Sequence, residues 1–280
     1  MTMINNRTTF IILSLILSTG LTPIAIRITQ SEGIPSLVIV LIRTWLVSLV
    51  LLPIVWKRYR QHISLLSPRS ILLCAVAGFW LALNLFSLFF ALENTSVLIT
   101  SVLRRTTPLW IVTPEILLFG IVFTRRFWLS LLLTVVGVIL ITLGSFNTIE
   151  AGANPLLGAG LACFGAVALG LYLLIGRKMS HSIPPLLFSF IVFVFAAIFS
   201  SLAIIFLHLP VIGYSANAYI WTIITTFIAQ VLGHIAINLG LQFFTATAMA
   251  IILQIGVVGS GVMALVVFGE TPTEVQAIGS

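Results

Sequence analysis

The chain has 280 residues, of which 60% are hydrophobic and only 7% charged, and its mean hydropathy is +1.24. A soluble domain is roughly 25% charged, so this composition excludes a water-exposed globular surface and points to a lipid bilayer. The formal charge of +7 comes from 13 Lys and Arg against 6 acidic residues, yet no basic, aromatic-studded soluble segment exists to bind nucleic acid.

Apolar runs near the ~20 residues that cross a bilayer core predict helices. In chain order they are 8–27, 35–56, 70–91, 96–121, 127–145, 155–176, 183–207, 218–241 and 245–268. Backbone exposed to lipid must hydrogen-bond internally, so these runs are helices rather than loops. The first follows a short segment with one cation, Arg7, but shows no small-residue cleavage site and is expected to persist as a span. The longest polar connection, about 57–69, is too short to fold alone. Cys74 and Cys163 fall inside helices without metal-ligand spacing and read as packing residues.

Weak identities recur 149 residues apart without a gap. Ile34, Pro35 and Leu37 return as Ile183, Pro184 and Leu186, Leu92 as Leu241, and Phe119-Gly120 as Phe268-Gly269. One offset across several apolar segments argues for two copies of one membrane unit, residues 1–145 and 155–280. A unit of five spans inserts its second copy upside down. The fold expected is therefore all-α, with two inverted five-helix repeats and a substrate site near the bilayer midplane between them. The second unit shows four helices, and the tenth only begins at Ala277-Ile278-Gly279-Ser280, so the sequence reads as a fragment that lacks it.

With the N-terminus inside, Arg7, Lys57, Arg58, Arg60, Arg69, Arg125, Arg126, Arg177 and Lys178 all become cytoplasmic, and Glu32, Glu93, Glu150, Glu270 and Glu274 lie outside. That is the asymmetry of a multi-pass protein of the cytoplasmic membrane. Only Arg27, at a helix end, departs from it.

The chemistry is sought among polar groups that a membrane should exclude. Arg43 lies eight residues into the second helix, and Arg104-Arg105 eight to nine into the fourth, both entered from the outer side. At ~1.5 Å per residue, all three begin about 12 Å below that boundary, where an Arg costs at least about 2.5 kcal/mol and normally faces a watery cavity or a partner. Snorkelling to the interface is the competing account. Asn84, on the third helix, reaches a similar level, with Trp80 one turn nearer the centre as a wall. Pro108 and Pro114 free the carbonyls of Arg104 and Trp110 and predict a kink, where Thr106 and Thr107 can satisfy freed groups. Glu115 is expected near the cytoplasmic interface, either paired with Arg125 or Arg126 or carrying a proton for coupled transport.

In the second unit Thr222, Thr226, Gln230, His234 and Asn238 follow one another at i+4, a polar stripe that suits a cavity edge or interhelical hydrogen bonds. Gln254 corresponds to Arg105 at the repeat offset, Leu253 to Arg104 and Val192 to Arg43. Cations thus come from one unit and a neutral polar face from the other, which suits a ligand with an anionic end.

Ala91-Leu92-Glu93-Asn94-Thr95-Ser96 followed by Pro108-Leu109-Trp110, with Gly240-Leu241 and Phe268-Gly269-Glu270 in the second unit, resembles the EamA repeats of the drug/metabolite transporter superfamily. The first unit departs from the family's Leu-Gly-Glu loop at Gly120-Ile121, and the second from its proline at Val257. The resemblance implies ten helices, five plus five, that move small metabolites such as amino acids across the cytoplasmic membrane. Arg104 and Arg105 are not part of the general motif and are candidates for substrate choice.

The function expected is secondary transport of a small anionic or zwitterionic metabolite, as an exporter, by rocking the two units around a cavity. Arg43, Arg104 and Arg105 would attract the anion, and Asn84, Gln230, His234 and Gln254 would supply hydrogen bonds. No Gly-x-x-x-x-Gly-Lys-(Ser/Thr) run is present, so a gradient is the expected drive, with no cofactor or metal. One chain holds both halves of a cavity, which a monomer or a homodimer accommodates. The alternative is an intramembrane lipid-modifying enzyme or a lipid flippase. Against the enzyme, there is no Asp and no His-Glu-x-x-His or Gly-x-Ser-x-Gly run.

Overall fold

The computed structural model describes residues 6–125, 127–129, 131–133, 136–137, 153–255 and 265–267. Its helices are α1 (Asn6–Ser31), α2 (Ser36–Ser64), α3 (Pro68–Asn94), α4 (Val97–Arg104), α5 (Thr107–Phe119), α6 (Pro155–Met179), α7 (Pro185–Phe206) and α8 (Ala216–Thr226). A π-helical segment, Phe227–His234, continues α8 into α9 (Ile235–Gly240), and α10 (Ala246–Ile252) follows. Six of these rods are long and apolar enough to cross a membrane, with mean hydropathies from 1.7 to 2.6. Outside the described residues lie most of the span expected at 127–145, the end of the one at 245–268, the expected start of a tenth helix, Arg126, Glu150, Glu274, Val257 and the Phe268-Gly269-Glu270 loop.

Helix starts follow local capping chemistry. Ser96 and Thr245, one repeat offset apart, each accept from the amide three residues on, that of Ile99 and of Ala248, which satisfies a donor that a helix start leaves orphaned. Pro35 and Pro184, also equivalent, precede α2 and α7. The apolar runs underestimate length at charged ends: α2 continues to Ser64, past the expected 56. Charge ends an apolar run without ending a helix, and α2 stops only shortly before Pro68. Arg60 there lies 5.2 Å from the Trp56 ring centroid, a cation–π pairing that holds the side chain on the helix.

The packing has the reciprocity of a two-fold. α3 packs along α6, while α1, the equivalent of α6, packs along the α8–α9 rod, the equivalent of α3. α2 packs on its own equivalent, α7. The two units are inverted. Gln30, near the end of α1, donates to the carbonyl of Phe89 near the end of α3, and the Asn154 amide at the start of α6 donates to the carbonyl of Asn94 at that same end. α6 therefore begins where its counterpart α1 finishes. The opposite end, which carries Lys57, Arg58, Arg60, Arg69, Arg177 and Lys178, is cation-rich.

α3 and α7 touch backbone to backbone at Gly78, where an added Cβ would lie 2.6 Å from Phe195 Cβ and 2.8 Å from the Val192 carbonyl oxygen. Backbone cannot yield there, so Gly78→Leu is expected to cost about 1–3 kcal/mol and lower the melting temperature of the purified protein. Gly160→Ala on exposed α6, with nothing within 4 Å of its Cβ, is expected to leave it unchanged or gain up to about 1 kcal/mol.

Candidate functional site

A cavity of about 110 Å³ lies between the repeats, walled by α1, α2, α3, the α4–α5 break, α6, the π segment with α9, and α10. Arg43, Asn84, Arg104, Arg105 and His234 all line it. The common depth read for the three arginines thus corresponds to a common cavity.

Arg43 is fully buried on the inner face of α2. Its Nε and Nη2 donate to Gln230 Oε1 at 3.0 and 2.5 Å, and its guanidinium carbon sits 5.0 Å from the Phe89 ring centroid. Gln230 is presented by the π segment, whose amides bond five residues back, as Ile235 N does to the Gln230 carbonyl. Such wide turns are frequent at functional sites. Arg43 Nη1 and Gln230 Nε2 have no hydrogen-bond partner among the described residues.

Arg104 closes α4. Its Nη2 donates to Asn84 Oδ1 at 2.5 Å and its Nη1 to the Asn84 carbonyl at 3.4 Å. The guanidinium fits because α6 has Gly165 alongside, where any Cβ would collide with Arg104 Nη1 and Ser87 Oγ.

The expected kink is a complete break at Arg105-Thr106. Thr107 Oγ1 donates to the carbonyl of Arg104 at 2.9 Å, replacing the amide that Pro108 lacks, and Thr106 Oγ1 donates to that of Leu103 at 2.8 Å. The Arg105 carbonyl accepts from Gln254 Nε2 at 3.2 Å. Those two residues are exact repeat equivalents, 149 apart, and equivalent residues meet only near a two-fold axis. The pseudo-axis therefore passes by the helix break. Arg105 Nε is buried without a partner among the described residues.

The i+4 stripe divides by role. Thr222 and Thr226 donate back to carbonyls of their own helix. Gln230 clamps Arg43. His234 faces the cavity, edge-on to Tyr172 and Phe193 at 6.0 and 6.2 Å, with Nδ1 unpartnered. Asn238 ties helices together, accepting from the Tyr172 hydroxyl at 2.6 Å and donating to Ser189 Oγ at 2.8 Å. Trp80 is partly buried against Phe79 at 5.6 Å and does not line the cavity. Gln254 reaches it only through Arg105.

Glu115 is fully buried and accepts from the amides of Ala246 and Thr247 at 2.7 and 2.9 Å and from the Thr247 hydroxyl. It thus joins α5 to the start of α10 in the other repeat, near the end where Arg177 Nη1 donates to the Leu241 carbonyl at 2.7 Å. The repeat-equivalent position is Ala264, so the sequence carries this carboxylate once.

Sequence reasoning missed the α1 wall, Ser18, Thr19 and Thr22, whose i+4 pair of hydroxyls was a usable signal, and it missed Gly165 and the π segment. Among the described residues, no carboxylate lines the cavity. The described ones accept elsewhere: Glu32 from Ser215, Glu93 from Ser36 and Glu115 from α10. Two guanidiniums are held by the neutral side-chain amides of Gln230 and Asn84, which satisfy hydrogen bonds and leave charge uncompensated.

Removing the neutral partner that hydrogen-bonds a buried charge costs about 1.5–3 kcal/mol, whereas replacing both groups by apolar ones is often neutral. Gln230→Leu is therefore expected to destabilise the purified protein by roughly that amount, and Arg43→Leu in the same chain to restore most of it, read from thermal melts of the double-mutant cycle.

Comparison with curated proteins gives no match. A solved crystal structure is similar at a TM-score of 0.73 and 16% identity, over 98% of this chain and 94% of that one; at that identity it supports the fold alone. The EamA-like transporter family matches residues 7–143 and 156–280, one stretch for each repeat. With both halves matched, and six spans and reciprocal packing in the described residues, the chain belongs to the EamA-like transporter family of multi-pass membrane transporters.

Proposed function

We propose that this transporter moves a small anionic or zwitterionic metabolite across the cytoplasmic membrane by alternating access, in the direction of export. The observation that carries the reading is the pairing of Arg43 with Gln230 and of Arg104 with Asn84. Each guanidinium is oriented by an amide oxygen that a ligand's oxyanion can replace at a gain in charge compensation, since hydrogen bonds between two ions are stronger than those to a neutral group. A gradient drives the cycle, and one chain supplies both halves of the site.

The cation-rich end is cytoplasmic by the positive-inside rule. Glu115, bound to the start of α10, then acts as a latch on the cytoplasmic side of the cavity. Rocking the repeats open on that side parts α5 from α10, and a proton taken up by the freed carboxylate couples transport to the proton gradient. The sequence repeats no carboxylate at the equivalent position, Ala264.

Proteoliposomes loaded with labelled short organic acids and amino acids test this by counterflow. Exchange above that of empty vesicles is expected for the parent chain, with a loss of at least about tenfold in Arg43→Ala and Arg104→Ala, since a hydrogen bond to a charged group contributes about 1.5–3 kcal/mol. Exchange equal to empty vesicles, or unchanged in both variants, contradicts the reading. Glu115→Gln is expected to retain counterflow and lose the response to an imposed pH gradient; an unaltered response removes Glu115 from coupling.

A further inference from the structure

Resting on the transporter reading, we infer that the cavity selects a compact dianion, such as a short dicarboxylate or a small phosphate monoester, over the zwitterions and monoanions that also fit an anion site. Charge counting is the first argument. Arg43, Arg104 and Arg105 line one small space that no carboxylate among the described residues reaches, and the side chains holding Arg43 and Arg104 are neutral amides. In a low-dielectric interior such charges seek compensation. A monoanion leaves most of the charge unopposed. A zwitterion adds an ammonium to three guanidiniums and meets no anionic group to receive it.

The α1 wall sharpens this. Thr19 Oγ1 donates to the carbonyls of Leu15 and Ile16, and Thr22 Oγ1 to that of Ser18. Their remaining lone pairs offer dipoles but no charge, which is weak provision for an ammonium. Donors, in contrast, are left over: Arg43 Nη1 and Arg105 Nε, on two residues that line the cavity, are buried without partners among the described residues. Unused donors borne on α2 and the helix break match an oxyanion or a pair of them.

Size bounds the rest of the molecule. At about 110 Å³ the cavity is well below the ~300–1,000 Å³ of drug-sized sites, which favours a compact ligand in this state. Leu85, Leu88, Leu169 and Leu253 also line it and suit a few methylenes.

The test is a matched four-carbon series, succinate, butyrate and 4-aminobutyrate, with glycerol phosphate against glycerol, measured by thermal shift and equilibrium binding on the purified full chain at neutral pH. Succinate or glycerol phosphate is expected to bind at least tenfold more tightly than butyrate or 4-aminobutyrate. That preference should be lost in Arg105→Gln and kept in Arg105→Lys, which retains the charge. If 4-aminobutyrate or butyrate binds as tightly as succinate, the dianion inference is overturned while the transporter reading stands. If only vesicle-borne phosphatidic acid binds and no soluble dianion does, the compact-ligand inference is overturned in favour of a lipid headgroup. If neither succinate nor glycerol phosphate binds and counterflow is also absent for every acid, both readings fall.

Discussion

A guanidinium inside a membrane bundle must be hydrogen-bonded, and the Arg43–Gln230 pair meets that demand across the two repeats. Much of the centre of the molecule is arranged around it. The π segment presents Gln230 to α2, Phe89 supplies a ring face to the cation, and α3 brings Asn84 to perform for Arg104 the role that Gln230 performs for Arg43. Amides suit the proposed binding and release of an anion. A carboxylate partner would neutralise the arginine permanently, whereas an amide keeps it oriented and charged.

The inverted repeat explains where this happens. Structures related by a two-fold meet themselves at the axis, as Arg105 and Gln254 do, and there the chain is free to depart from symmetry without disturbing either scaffold. α4 and α10 share capped starts, while Arg104 faces Leu253 in the alignment of the halves and Arg105 faces Gln254. Symmetry thus survives in caps and packing and is broken in charge. The broken helix at Arg105-Thr106 serves both needs: its threonines satisfy the backbone that Pro108 disrupts, and the break carries two guanidiniums past the axis.

Much of this was legible in the sequence. Hydropathy gave the spans, the 149-residue offset gave the inverted units, and membrane depth alone brought Arg43, Asn84, Arg104 and Arg105 to one level. What was hidden depends on geometry that periodicity cannot encode. A regular i+4 stripe looks uniform, yet Gln230, His234 and Asn238 have three different partners because the helix widens into a π segment between Phe227 and His234. Gly165 looks like any membrane glycine until Arg104 is seen against it. Depth alone leaves Glu115 either paired with loop cations or carrying a proton, and its bonds to the start of α10 depend on a long-range meeting of the two repeats. Trp80, placed by depth alone, faces Phe79 because depth does not specify direction around the helix.

The central claim is an uncompensated cationic cavity on the pseudo-axis that awaits an anion. Anomalous diffraction from crystals grown with a bromine-labelled short dicarboxylate tests it most directly. The account predicts a bromine peak inside the cavity, with carboxylate oxygens about 3 Å from Arg43 Nη1 and the Arg105 guanidinium. A peak elsewhere, or a cavity unchanged while all three arginines remain locked in protein contacts, would contradict it and make those arginines structural.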